Sequence, residues 1–191
     1  MDELGRGILS FRDASELGAW LEEHHRSGGH LWVRIFKVGS GRPSVTWADC
    51  VVEAIRFGWI DGQKRAFDDI SFLQRLTPRK PGSTWSAKNR EHVSRLEVEG
   101  RMTAAGSAQV EAARADGRWE AAYAGSAAMV LPEDFLVALE TRPAAKTYFA
   151  TLDRRNLYSI YHRLQTAKRP ETRARRMAAI LGKLERGECF H

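Results

Sequence analysis

The segment 57–86, FGWIDGQKRAFDDISFLQRLTPRKPGSTWS, gathers the side chains of this protein best suited to chemistry. It holds Trp59 and Trp85, the carboxylate of Asp61 between Ile60 and Gly62, and the cations Lys64, Arg65, Arg75, Arg79 and Lys80. Ser86 closes the segment, and Lys88 and Asn89 lie just beyond it. A core segment carries fewer charges and a solvated loop fewer aromatics, so the mixture reads as a binding surface. Arginine recognises phosphate or carboxylate bidentately, and a helix N-terminus attracts anions through its free N–H groups. Arg79, Lys80, Lys88 and Asn89 surround the expected start of a helix at Ser86, so an anion is the ligand they fit; plain solvation is the alternative. Asp61, if buried, needs a partner. Arg75 or Arg79 can supply one, as an ion pair that holds the strands to their connector. Otherwise Asp61 orients a ligand or serves as a general base. Trp85 either stacks on a ring or plugs the core. The candidate ligand-binding set is therefore Trp59, Asp61, Lys64, Arg75, Arg79, Lys80, Trp85, Ser86, Lys88 and Asn89.

No catalytic residue is assigned. Ser83, Ser86 and Asp61 have no histidine near them in sequence to complete a triad. The six histidines (24, 25, 30, 92, 162 and 191) show no metal-ligand spacing, so neither metal nor cofactor is expected. His24 and His25 fall at a helix end, where they can bond its last carbonyls. Cys50, beside Val51 and Val52, reads as a buried, inert thiol. The stretch 39–44, GSGRPS, resembles a phosphate-cradling turn but lacks the G-x-x-x-x-G-K-[ST] spacing.

The elements that position these residues follow from pattern. Asp13 or Ser15 caps a first helix with Leu17, Trp20 and Leu21 on its buried stripe. Residues 30–38 read as a strand covered on both faces, with Leu31, Val33 and Ile35 opposite Trp32 and Phe36. Thr46 and Asp49 sketch a capping box for the next helix. Residues 59–67 and 70–77 form two strands joined at Asp68-Asp69, and Gly62 marks a bulge. A rigid connector, 77–83, leads to helices over about 86–99 and 103–115. The weakly patterned stretch 117–131 reads as a linker. Helices then open at Pro132, Pro143, Asp153 and Pro170. This spells an α+β fold: a small antiparallel or mixed sheet with flanking helices over 1–118, then a helical module over 130–188.

The 191 residues are 43% hydrophobic and 28% charged, ordinary for a globular chain. From residue 142 onward there are 12 Lys+Arg against 4 Asp+Glu, a net of +8, which leaves the remainder at −2 of the total +6. Localised positive charge suits nucleic acid, an anionic membrane surface or an acidic partner, or simply a solvated helix face. No segment is apolar enough to span a membrane. The opening residues, MDELGRGILSFRDASEL, show no export signal, and two cysteines make no disulfide framework; a cytoplasmic protein is expected.

Gly58-Trp59-Ile60-Asp61-Gly62, the run 77–86 (TPRKPGSTWS) and the tail run 166–173 (TAKRPETR) together resemble the YdeI/OmpD-associated (OmdA, bacteriocin-protection) family. The resemblance runs over nearly the whole chain. It implies a bacterial role in stress resistance, against antimicrobial peptides or envelope stress. It brings no reaction and no catalytic residue with it. Three classes of function follow from the residues. The first is non-enzymatic binding of an anionic small molecule or protein segment around Trp59–Trp85. The second is nucleic-acid binding through the basic tail helices. The third is an enzyme acting on a phosphorylated or carboxylated substrate, with Asp61 as acid/base.

Overall fold

The structure, a computed structural model, describes residues 7–190. His191 and the first six residues, on which part of the export reading rests, lie outside that range. The fold is α+β. Contacts divide it into one unit holding the chain through Trp85 together with Asn89–Ala121, and a second holding Ser86–Lys88 and the chain from Ala122.

In the first unit, β1 (Ile8–Ser10), β2 (Leu31–Phe36), β3 (Trp59–Asp68) and β4 (Ser71–Pro78) form one sheet in the order β1-β2-β4-β3. β1 runs parallel to β2, and the other neighbours are antiparallel. β2 is an inner strand, buried at Leu31, Val33 and Ile35 on one face and at Trp32 on the other. No local pattern announces β1: three residues are too few to show alternation, and its pairing comes from β2. α1 (Ala14–His24) opens at Asp13, whose side chain accepts the Glu16 N–H. α2 (Trp47–Arg56) opens on the expected capping box, Thr46 Oγ1 accepting the Asp49 N–H and Asp49 Oδ2 the Thr46 N–H. Leu17 and Leu21 of α1 and Cys50 and Ala54 of α2 share one core with Leu31, Val33, Ile35 and Leu76 of the sheet.

The β3–β4 register decides which side chains meet. Asp61 lies opposite Leu76 and Lys64 opposite Gln74, so one extra residue sits in β3 beside Gly62, where a bulge is expected. The buried Gln74 amide donates to the Gly62 carbonyl at 3.0 Å and closes the bulge. A second shift between Ala66 and Asp68 sets Phe67 out of the ladder. Unbroken alternation would put Gln63, Arg65 and Phe67 on the face of Trp59 and Asp61. The bulge instead places Lys64 and Ala66 there and turns Arg65 to the opposite face. β4 also runs one residue further than expected, Pro78 lying opposite Trp59.

α3 (Ala87–Val98) and α4 (Ala104–Ala115) follow, burying Val93, Leu96, Val110 and Ala113. α4 lies close against the end of α2, because a Cβ on Gly106 would stand 2.3 Å from the Arg56 carbonyl oxygen. Thr103 Oγ1 donates to that same oxygen at 2.6 Å. Glu53, 2% exposed, is held by Arg56 and Arg101, each at 3.0 Å. Arg118 and Trp119, at the start of the stretch read as a linker, are buried.

The second unit contains α5 (Glu133–Glu140), α6 (Pro143–Phe149), α7 (Arg154–Gln165) and α8 (Pro170–Glu185). Phe135, Leu139, Ile160, Leu164, Ile180, Leu181 and Leu184 make its core. Asp153 caps α7 by accepting the Asn156 N–H, and Pro143 and Pro170 stand in the first turns of α6 and α8. Leu136 is 40% exposed, while Phe135 and Leu139 fill the buried side of α5.

Candidate functional site

Strand parity separates the predicted site residues. Asp61 pairs with Leu76, so its side chain lies on the core-side face, while Arg75, one residue before Leu76, points through the other. An Asp61–Arg75 ion pair is therefore not formed. Asp61 is half-buried and accepts a hydrogen bond from the side chain of Trp47. Burial pushes its carboxyl above the usual carboxylate range, and the Trp47 bond and the Arg79 charge only partly offset this. Cys50, nearby in the core, is pushed up to about 12 by burial and then by Asp49 and Asp61, which makes it an inert thiol.

The shift at Asp61 has a definite sign. A carboxyl whose folded pKa exceeds its unfolded one binds its proton more tightly when folded. Its contribution to stability is greatest at pH below the unfolded value and falls as pH rises through the folded value. Asp61→Asn keeps an acceptor for Trp47 and removes the buried charge. The variant should melt above the parent at pH 7, with an advantage that shrinks as pH falls toward 3.8, the ordinary value. Thermal melts of both proteins across that range measure it. A variant that melts lower at pH 7 would show the carboxylate to be a net stabiliser.

The remaining candidates fall into three places. Trp59 and Trp85 are both 1% exposed. The Trp59 indole N–H is bound to the His25 carbonyl, and its ring meets Trp20 edge-on, so Trp59 is core. Trp85 packs edge-on against Trp119 and carries the Arg79 guanidinium 3.6 Å above its ring centre. Lys64 stands over Phe72 on the core-side face. Ser86 and Lys88 belong to the second unit, and Asn89 lies on α3 of the first. Ser83, the other hydroxyl weighed for nucleophilic chemistry, accepts the Lys80 N–H within a turn.

Arg75, Arg79 and Lys80 do come together. They line a cleft of about 520 Å³ with His30, Thr77 and Pro78, and among the described residues no acidic side chain lines it. Arg79 is 6% exposed, fixed by its N–H to the Gly58 carbonyl at 3.0 Å and by Nη1 to the Thr84 carbonyl at 3.1 Å. Two buried nitrogens at the cleft, His30 Nε2 and Arg75 Nε, have no hydrogen-bond partner. Buried polar atoms are normally satisfied, which sets these two nitrogens apart from most buried polar groups. His30 carries no motif in the sequence; it reaches the cleft because Leu31 pairs with Leu76, which sets it beside Thr77. His24 and His25 bond the Trp20 and Leu21 carbonyls at 2.9 Å, as their helix-end position predicts. The Gly39–Arg42 turn borders a different groove of about 600 Å³, floored by Ile35, Val45 and Phe72. Among the described residues no cluster of metal-ligating side chains occurs, and no helix is long and apolar enough to cross a membrane.

Much of the basic tail is committed internally. Arg173 grips Asp134 bidentately, Nη2–Oδ1 at 2.7 Å and Nε–Oδ2 at 3.0 Å, and donates to the Leu164 carbonyl. Arg176 donates to the Arg163 carbonyl, and Arg142 and Arg186 pair with Glu185 and Glu188.

Residues 9–109, more than half of the chain, match the family model described as Domain of unknown function (DUF8412). The chain belongs to that family. Residues 128–187 match a second model, Bacteriocin-protection, YdeI or OmpD-Associated (OmdA). The OmdA match thus covers the helices α5–α8 and contains the tail run 166–173. The Gly58–Gly62 and 77–86 motifs, read as part of the same resemblance, fall in the DUF8412 match instead. No curated protein and no solved structure matches the chain.

Proposed function

We propose that this protein binds a small phosphorylated or carboxylated anion in the cleft of Arg75, Arg79 and Lys80, without catalysing a reaction, and that it works in the cytoplasm. The observation that carries the reading is the lining itself: three cations and a histidine, no acid, and two buried nitrogens without partners. An anion relieves the repulsion among the cations and accepts hydrogen bonds from them. The stacking of Arg79 on Trp85 and the Nη1 bond to the Thr84 carbonyl hold its guanidinium in place before a ligand arrives, so little ordering cost remains. Binding without turnover is supported by the absence of a carboxylate or thiol from the lining, and by the position of Asp61 on the other face of the sheet. The OmdA name links the second unit to bacteriocin protection, a role that binding, rather than catalysis, can serve.

Calorimetric titration with inorganic phosphate and with pyrophosphate at pH 7 tests this. One saturable site is expected, tighter for pyrophosphate and weakened by added salt. No heat from either anion, with the melting temperature unmoved at millimolar concentration, would remove the reading.

A further inference from the structure

The helix packed on the sheet, α2, covers the face of Leu31, Val33 and Leu76. The opposite face is built differently. By register it carries Trp32, Arg34 and Phe36 of β2, Leu73 and Arg75 of β4, and Arg65 of β3. Its arginines lie on aromatic rings: Arg65 is 5.0 Å from the Trp32 centroid, and Arg34 is 4.6 Å from Phe36 and 5.0 Å from Phe67. Arg42, from the loop after β2, adds a second guanidinium 5.2 Å from Phe36. The strands place one acid on this face, Asp68, and Arg34 holds it at 2.6 Å. Trp32, Gln63, Arg65 and Arg75 enclose a hollow of about 260 Å³, at which the buried Trp32 Nε1 and Arg75 Nε have no partner.

We propose that this face binds single-stranded nucleic acid. Same-face residues recur about every 6.7 Å along a strand, so Trp32, Arg34 and Phe36 form a track rather than a point. The positive charge of Arg42, Arg65 and Arg75 suits a phosphate backbone laid along it, while Arg34 is balanced by Asp68. Guanidinium planes backed by aromatic rings, together with Phe67 at 46% exposure, offer surfaces on which bases stack. An acidic peptide matches the charge but has nothing to place on those planes. A duplex hides its bases from them. The tail helices, the more obvious basic region, have spent Arg173, Arg176, Arg142 and Arg186 on internal bonds. The proposal is independent of the anion cleft except that Arg75 borders both hollows.

Fluorescence anisotropy with a labelled 20-nucleotide oligo(dT) at low salt is the test. Saturable binding is expected, with log K falling against log salt at a slope of roughly −2 for three phosphate contacts. Arg65→Glu and Phe67→Ala should each weaken it at least about tenfold. Both positions are exposed, so melting temperature should stay at the parent's value, and Phe67→Ala, which touches neither hollow, should keep the parent's pyrophosphate affinity. The double variant Arg169→Glu/Arg175→Glu should bind the oligonucleotide as the parent does. Three results would overturn the proposal: no binding at low salt; loss in the tail variant but not in the face variants; or competition by poly-glutamate as effective as by unlabelled oligo(dT). Oligonucleotide binding without pyrophosphate binding would sink the cleft reading and leave this one standing.

Discussion

Arg75→Glu is expected to lower pyrophosphate affinity by about a hundredfold or more while moving the melting temperature by only a few degrees. The side chain is half-buried and borders both the cleft and the hollow over Trp32. Losing a charge-assisted hydrogen bond costs about 1.5–3 kcal/mol. A carboxylate aimed at an anion adds repulsion, and about 3 kcal/mol together is a hundredfold. The fold loses little because Arg75 has no ion pair among the described residues and its Nε has no partner. Arg79→Ala is a less clean variant: its guanidinium covers Trp85 and ties down the Thr84 carbonyl, so stability falls along with binding. Calorimetry beside a thermal melt separates the two effects. Unchanged affinity in Arg75→Glu would mean that the anion sits elsewhere.

Gly106→Val should destabilise the first unit by about 3 kcal/mol or more, a drop in melting temperature of roughly 10 °C. The added Cβ would lie 2.3 Å from the Arg56 carbonyl oxygen and 2.9 Å from that of Ile55. Both are backbone atoms at the end of α2, so neither can rotate away. Gly58 meets the same helix from the other side: a Cβ there would stand 2.7 Å from the Ala105 carbonyl oxygen, and φ is +73°. The two glycines allow the α2–β3 junction and α4 to touch. Gly182, also inside a helix, provides the contrast. Its Cβ would meet only the end of Arg186 at 3.4 Å, so Gly182→Ala should raise stability by about 0.5–1 kcal/mol. Urea unfolding of both variants checks the pair. A Gly106→Val protein as stable as the parent would show that α4 can move off α2.

These contacts also show what can be read from the chain alone. The caps at Asp13, Thr46 and Asp153 were legible because capping is local chemistry within four residues. The hairpin and its bulge at Gly62 were legible for the same reason. The consequence of the bulge was not. It sends Arg65 to one face and Lys64 to the other, and only the partner strand fixes where the extra residue falls. The same parity parts Asp61 from Arg75, which sequence proximity of the two strands makes an attractive pair. Asp61 found Trp47 instead, a residue on α2 that no spacing rule connects to it. β1 and His30 owe their places to pairing with β2 and β4, a non-local matter that leaves no pattern in three residues or in one. Aromatic content singled out the segment 57–86 but could not separate the buried rings of Trp59 and Trp85 from a ligand surface.

Anion binding at the cleft can be followed residue by residue in a two-dimensional NMR titration with pyrophosphate, reading backbone amides and the His30 ring. The cleft predicts saturating shifts at His30, Thr77, Arg79 and Lys80 and at the Arg75 Nε–H, with the same midpoint as calorimetry. Shifts confined to residues 168–186, or spread over every lysine and arginine without saturation, would contradict it.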